Sequence, residues 1–282
     1  MIYIRKSEER MDEYLYHYTS IETLLLILKN KTIAFNSLQN VDDLEECDSK
    51  DIQQIGKICY VSCWTDDASE SIPMWNMYTP NMQGVRIKLK KFPFEKYKFK
   101  CGEYHLKSDV ETYIDYRKLY NEDKTTIAGE PQLIKVIYTN DDELIYPNIK
   151  SIKEEIQKLN DGKIQKTIST SYSFKNVGKY KRKNWEFQNE FRYIINMSLW
   201  SMKELENCKS SEDQLKLMER LEDTKYKAPY NLFFLNLTNE ALSDLEILLG
   251  PKTTEAQEEI VKLIAEKYCP YAKILKSNLK IK

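Results

Sequence analysis

Stretches that alternate apolar and polar side chains outnumber helical stripes along this chain, and few regular helices separate them. GVRIKLK, residues 84–90, is the clearest, with Val85, Ile87 and Leu89 on one side and Arg86, Lys88 and Lys90 on the other. EYLYHY (13–18), TIAFNS (32–37), CYVSCWT (59–65), LIKVIYT (133–139), NLFFLNL (231–237) and LEILLG (245–250) read as further strands, several of them buried. A doubly wound parallel sheet needs a helix between nearly every pair of strands, so the pattern favours an α+β fold around a mixed or antiparallel sheet. AKILKSNLKI closes the chain as an edge strand whose lysines discourage further pairing.

Helical spacing is confined to a few places. In TSIETLLLILKNK, Thr19 and Glu22 stand at capping-box spacing ahead of a stripe of Ile21, Leu24, Leu25 and Leu28. SIPMWNMY (71–78) is a short helix opened by Pro73, and SMKELENCKSSEDQLKLMERLE (201–222) is helical. TTEAQEEIVKLIAEKY carries a second capping box at Thr254 and Gln257. An amphipathic helix is expected near 108–121 and a lysine-rich helix near 149–160, inside a less regular region at about 91–180. That region reads as an elaboration of a single domain spanning 1–282.

Composition removes several function classes. Lys plus Arg total 43 and Asp plus Glu 44, a net charge of -1, so no global pull toward nucleic acid or an anionic membrane is expected. Seven glycines argue against glycine-rich phosphate loops, and two histidines with six scattered cysteines give no zinc spacing. The N-terminal run MIYIRKSEERMDEY lacks the apolar core of a signal peptide, and no apolar run reaches the ~18 residues of a membrane span, so a cytoplasmic protein with reduced, buried thiols is expected.

WEFQNEFRYII, residues 185–195, is the segment richest in chemistry. Read as one strand, it places Trp185, Phe187, Asn189, Phe191 and Tyr193 on one face and Glu186, Gln188, Glu190 and Arg192 on the other. Alternation alone leaves two readings: a solvated polar face, or a cleft in which one carboxylate stabilises a developing positive charge and Arg192 keeps it ionised. His17, in YHYTS (16–20), sits at a strand-to-helix junction, where sites often gather. Trp75 and Tyr78, three apart on a helix, fit core packing better than a stacking platform. The basic run Lys175, Lys179, Lys181, Arg182 and Lys183 is either a solvated loop or a phosphate-backbone contact.

YHYTS near the start, CWT followed by WNMY and GVRI, the lysine-led WEFQNEFR and the final EILLGPKT together resemble a bacterial domain-of-unknown-function family. Members show a Tyr-His-Tyr-Thr-Ser start and a Trp-x-x-Glu-x-Glu-x-Arg strand. That family is in turn similar to ADP-ribosyltransferases, which implies a split mixed sheet holding NAD in a cleft. The resemblance implies that His17, with Tyr18 and Thr19, contacts NAD, that Tyr18 or Tyr78 supplies an aromatic face, and that Ser62 and Arg192 support the site. Glu190 is implied as the catalytic glutamate and Gln188 as its partner. Gln188 replaces the first glutamate of the family pair, which puts an arginine acceptor in doubt. NAD would be a substrate, the acceptor a protein or nucleic acid, and the setting a toxin or antiphage effector. Nothing in the sequence addresses oligomeric state. Two other readings stand beside it: a non-catalytic nucleotide- or partner-binding module, and a metal-dependent nucleic-acid enzyme using Asp42, Glu45 and Glu190.

Overall fold

A computed structural model describes residues 13–127, 129–158 and 164–281. Residues 1–12, most of the run read above for a signal peptide, lie outside the described residues. The chain divides into two compact units. The first is Met1–Thr32, Trp64–Phe94 and Asn236–Lys282, the second Ile33–Cys63 and Glu95–Leu235. Both mix strands and helices, and the fold is α+β.

In the first unit, strands Tyr14–Thr19, Val85–Lys90, Glu246–Leu249 and Lys273–Lys276 lie side by side in that order. Val85–Lys90 runs antiparallel to both of its neighbours, Tyr14–Thr19 and Glu246–Leu249, and the last pair is parallel, so the sheet is mixed. A parallel pair needs a crossover, supplied here by helix Glu255–Tyr268 with the Thr254/Gln257 capping box that its sequence announces. Helix Ile21–Asn30 packs against it and buries Ile21, Leu24, Ile27 and Leu28. Its cap is Ser20, accepting from the Thr23 amide, and not Thr19. Thr19 is still paired to Val85 in the strand, which moves the cap one residue on.

The second unit orders strands Leu232–Asn236, Thr32–Ser37, Cys59–Thr65, Glu190–Asn196 and Gln132–Lys135. Leu38, Ile55, Cys59, Val61, Ile194 and Leu221 form its core. The helix expected near 149–160 is instead strand Lys150–Lys158, paired antiparallel with Ile164–Tyr172 from Lys150↔Tyr172 to Lys158↔Ile164. Ile152 and Ile156 are four apart, a spacing that suits one face of a helix and one face of a strand equally. The helix expected over 108–121 is only Tyr116–Glu122, because Asp115 caps it and Val110–Thr112 pairs as a strand. The long helical run after Ser201 is two helices, each with its own capping box. Among the described residues, no helix is long and apolar enough to cross a membrane.

Gly84 is where the first sheet tolerates no side chain. A Cβ there would lie 2.3 Å from the Thr19 carbonyl oxygen and 2.6 Å from the Thr79 side chain. The nearest obstacle is backbone, which cannot swing aside as a side-chain tip can. Gly84→Ala should therefore lower stability by about 3 kcal/mol, the upper part of the range for overpacking, read as a shift of the urea midpoint.

Candidate functional site

The segment around Glu190 departs from a continuous strand, and the departure builds the site. Lys183–Gln188 is a 3₁₀ helix, Asn189 takes left-handed angles (φ 41, ψ 53), and the strand starts only at Glu190. Asn tolerates that conformation better than most residues. Glu186, expected beside Gln188, Glu190 and Arg192, is exposed on the helical turn and takes no part. Nor is the polar face solvated: Gln188, Glu190 and Arg192 are 2%, 4% and 1% exposed.

Four buried charges meet here, two of each sign. Arg192 donates from Nε to Glu190 Oε1 at 2.8 Å, from Nη1 to Glu46 Oε2, and from Nη1 to the Gly178 carbonyl at 2.9 Å. Lys181 Nζ lies 3.2 Å from both Glu190 Oε2 and Glu46 Oε1, and donates to Gln188 Oε1 at 2.8 Å. Its ammonium also sits 4.9 Å from the centre of the Trp185 ring. Gly178 has φ +72, a backbone geometry that glycine adopts without strain. Tyr138 Oη accepts the Glu190 amide at 2.9 Å, and Cys63 hydrogen-bonds the Glu190 carboxylate.

Burial alone would raise the Glu190 carboxyl, but the charges of Arg192 and Lys181, with the Cys63 and Arg192 hydrogen bonds, outweigh it and hold the pKa below 4.5. Burial works against Lys181 too, and the charges of Glu190 and Glu46 overcome it, so the ammonium stays protonated. Burial and Glu190 push the Cys63 thiol well above its ordinary range, which keeps it a neutral donor.

An outer layer surrounds this core. Arg182 pairs with Glu45 at 2.9 Å and Asp142 at 2.7 Å, while Tyr146 Oη donates to Glu45 at 2.6 Å. Asp43 caps the Leu44–Cys47 turn through the Glu45 amide, leaving its buried Oδ2 without a partner. Lys181 and Arg182 are thus committed to carboxylates, and the basic run 175–183 does not form one open cationic surface. Glu45 and Glu190 are bound to cations, and among the described residues no group of three or more His, Cys, Asp or Glu could hold a metal ion.

The other residues singled out from the sequence divide between the units. Ser62 is buried in the Cys59–Thr65 strand; its neighbour Cys63, on the opposite face by alternation, is the one that meets Glu190. In the first unit, the His17 ring lies 5.1 Å from Trp64. Tyr18 is buried edge-on to Trp75 at 4.8 Å, and its hydroxyl accepts the Ser71 amide. Thr19 is buried, and Tyr78 packs beside Tyr18, Met74 and Trp75. Arg86, expected to point outward, is buried: it stacks 4.6 Å over Tyr16, donates to the Ala68 and Ser69 carbonyls at 3.0 Å, and leaves Nε unpaired. Aromatic faces and carbonyls stand in for water around its guanidinium.

Residues 74–193 match the family described as protein of unknown function (DUF2971). The match includes Lys181, Gln188, Glu190 and Arg192. No curated protein and no solved structure matches the chain.

Glu46, Lys181 and Cys63 completed the network without being singled out from the sequence as its members. Glu46 carried one signal, as the neighbour of Glu45 in the acidic run VDDLEE.

Removing one partner from a buried, balanced network strands the others. Arg192→Met should destabilise the protein by about 3–5 kcal/mol at pH 7. In the wild type, the depressed Glu190 pKa contributes stability above 4.5, lost as pH falls through the folded-state value. In the variant, the uncompensated carboxylate gains from protonation, so the deficit should shrink between pH 7 and 5. Urea titrations of both proteins across that window check the sign.

Proposed function

We propose that the chain is an ADP-ribosyltransferase-like protein that uses NAD as a substrate, with Glu190 as the reactive carboxylate. The observation behind this reading is the Gln188–Asn189–Glu190 turn into a strand. It sets a carboxylate with a lowered pKa two residues after a buried carboxamide, with one ammonium shared between them. Departure of nicotinamide leaves positive charge on the ribose, and a fixed carboxylate in a water-poor site stabilises that charge far better than one in water. No metal and no strong nucleophile are required. On this reading a ribose hydroxyl reaches Glu190 by replacing Lys181 on Oε2, while Arg192 keeps Oε1. Ser62, in the same unit as Glu190, belongs to NAD binding by resemblance, and the acceptor is a protein or a nucleic acid.

One observation favours a second reading, a nucleotide- or partner-binding module of the same fold without turnover. Both oxygens of Glu190 are engaged, and the residue is 4% exposed. In that case the network is a latch that holds the strand in place.

The two readings separate with NAD labelled in the nicotinamide. The enzyme releases label, alone or with cell extract, and Glu190→Gln, its fold checked by circular dichroism, lowers the rate by about 10²–10³-fold. The binding module shows NAD-dependent thermal stabilisation and no release. A folded Glu190→Gln variant with undiminished release would falsify the role given to Glu190.

A further inference from the structure

Strands Lys150–Lys158 and Ile164–Tyr172 of the second unit pair with each other and, among the described residues, with no other strand. Alternation divides this hairpin into two unlike faces. One carries Ile152, Glu154 and Ile156 from the first strand and Ile164, Lys166 and Ile168 from the second. The other carries only polar residues, among them Lys153, Glu155, Thr167 and Ser169. The base of the isoleucine face is tied down, since Lys150 Nζ and Tyr172 Oη reach Glu222 at 2.6 and 2.9 Å. Beyond that anchor the four isoleucines are 61–71% exposed.

A two-stranded hairpin with water on both sides is marginally stable. Four isoleucines gathered on one side of it, with none on the other, form an apolar patch of the kind that marks an interaction surface.

The charges on that face select what covers it. Glu154 and Lys166 stand in its middle and pair at 2.8 Å, so the face bears one acid and one base. A nucleic acid calls for an excess of cations, and the apolar part of a bilayer rejects a carboxylate. A second copy of the chain matches both charges. In the register Glu154↔Ile168 and Ile156↔Lys166, acid and base occupy one diagonal of a square and two isoleucines the other. Two such squares, stacked face to face with the hairpins crossed, seat each Glu154 over the other copy's Lys166 and each isoleucine over its counterpart.

The area sets the strength. Nine residues rising about 3.4 Å each, on two strands each about 4.8 Å wide, give a face of roughly 300 Å². A standard interface covers ~800 Å² per partner, so this contact is weak and concentration-dependent.

We infer that the isoleucine face of this hairpin docks on the same face of a second copy, giving a reversible two-fold dimer with reciprocal Glu154–Lys166 ion pairs. The contact does not depend on the NAD reading and survives its failure.

Sedimentation velocity of the full chain tests it between about 1 and 500 µM, a range that brackets the micromolar Kd of a small interface. The wild type is expected to pass from monomer to dimer and stop there, and Ile156→Ser/Ile168→Ser to stay monomeric. Glu154→Lys and Lys166→Glu each put two like charges on the face, so each alone should dimerise about tenfold more weakly. An equimolar mixture of these two variants should recover the wild-type affinity, because one face is then doubly basic and the other doubly acidic. The inference is overturned by a wild type that stays monomeric, by one that assembles beyond the dimer, or by one that binds phosphatidylcholine vesicles and not itself. It is equally overturned if the isoleucine variant dimerises like the wild type, or if the mixture associates no better than its components. Circular dichroism checks each fold; should a charge variant not fold, the wild-type and isoleucine-variant titrations decide.

Discussion

The guanidinium of Arg192 is the contact on which the second unit is organised. It is 1% exposed and gathers Glu190 from its own strand, Glu46 from a turn 146 positions earlier, and the Gly178 carbonyl from the loop between them. Arg suits this place because its planar fork holds several acceptors in fixed directions and its charge is never lost. An apolar residue of similar size would fill the space and leave Glu46 and Glu190 facing a single ammonium. Such a network adds little net stability compared with a well-packed apolar core. What it does is penalise every register except the one in which all four charges meet, and so it defines where the strand begins.

The same closure frames the functional question. A carboxylate that is buried and ionised is prepared for charge stabilisation, since the surroundings have already met the cost of desolvating it. Occupied oxygens make it a structural tie as well. Lys181 distinguishes the two roles: it holds Glu190 by one oxygen, it is bound more loosely than Arg192, and it also binds Gln188. The matched family region, residues 74–193, contains this cation, the carboxamide, Glu190 and Arg192, but not Glu46.

Much of the architecture was legible in the chain because local rules governed it. The capping box at Thr254 and Gln257, Pro73 opening a short helix, and the inward Val85, Ile87 and Leu89 each depend on neighbours within a few positions. The misread pieces are those where one spacing serves two structures. Ile152 and Ile156 fit a helix face or a strand face, and pairing with Ile164–Tyr172 settled it as strand. Thr19 fits a cap or a strand end, and pairing with Val85 took it as strand.

The sequence by itself determined the fold class and the pairing of Arg192 with Glu190, because residues two apart on a strand share a face. Only the tertiary structure decided that this polar face is buried, that Glu46 and Lys181 complete its charge balance, that Cys63 is the residue presented to Glu190, and that Arg86 turns inward onto Tyr16. Those outcomes depend on segments far apart in the chain. Whether a charge is tolerable in the interior depends on partners that no local pattern contains.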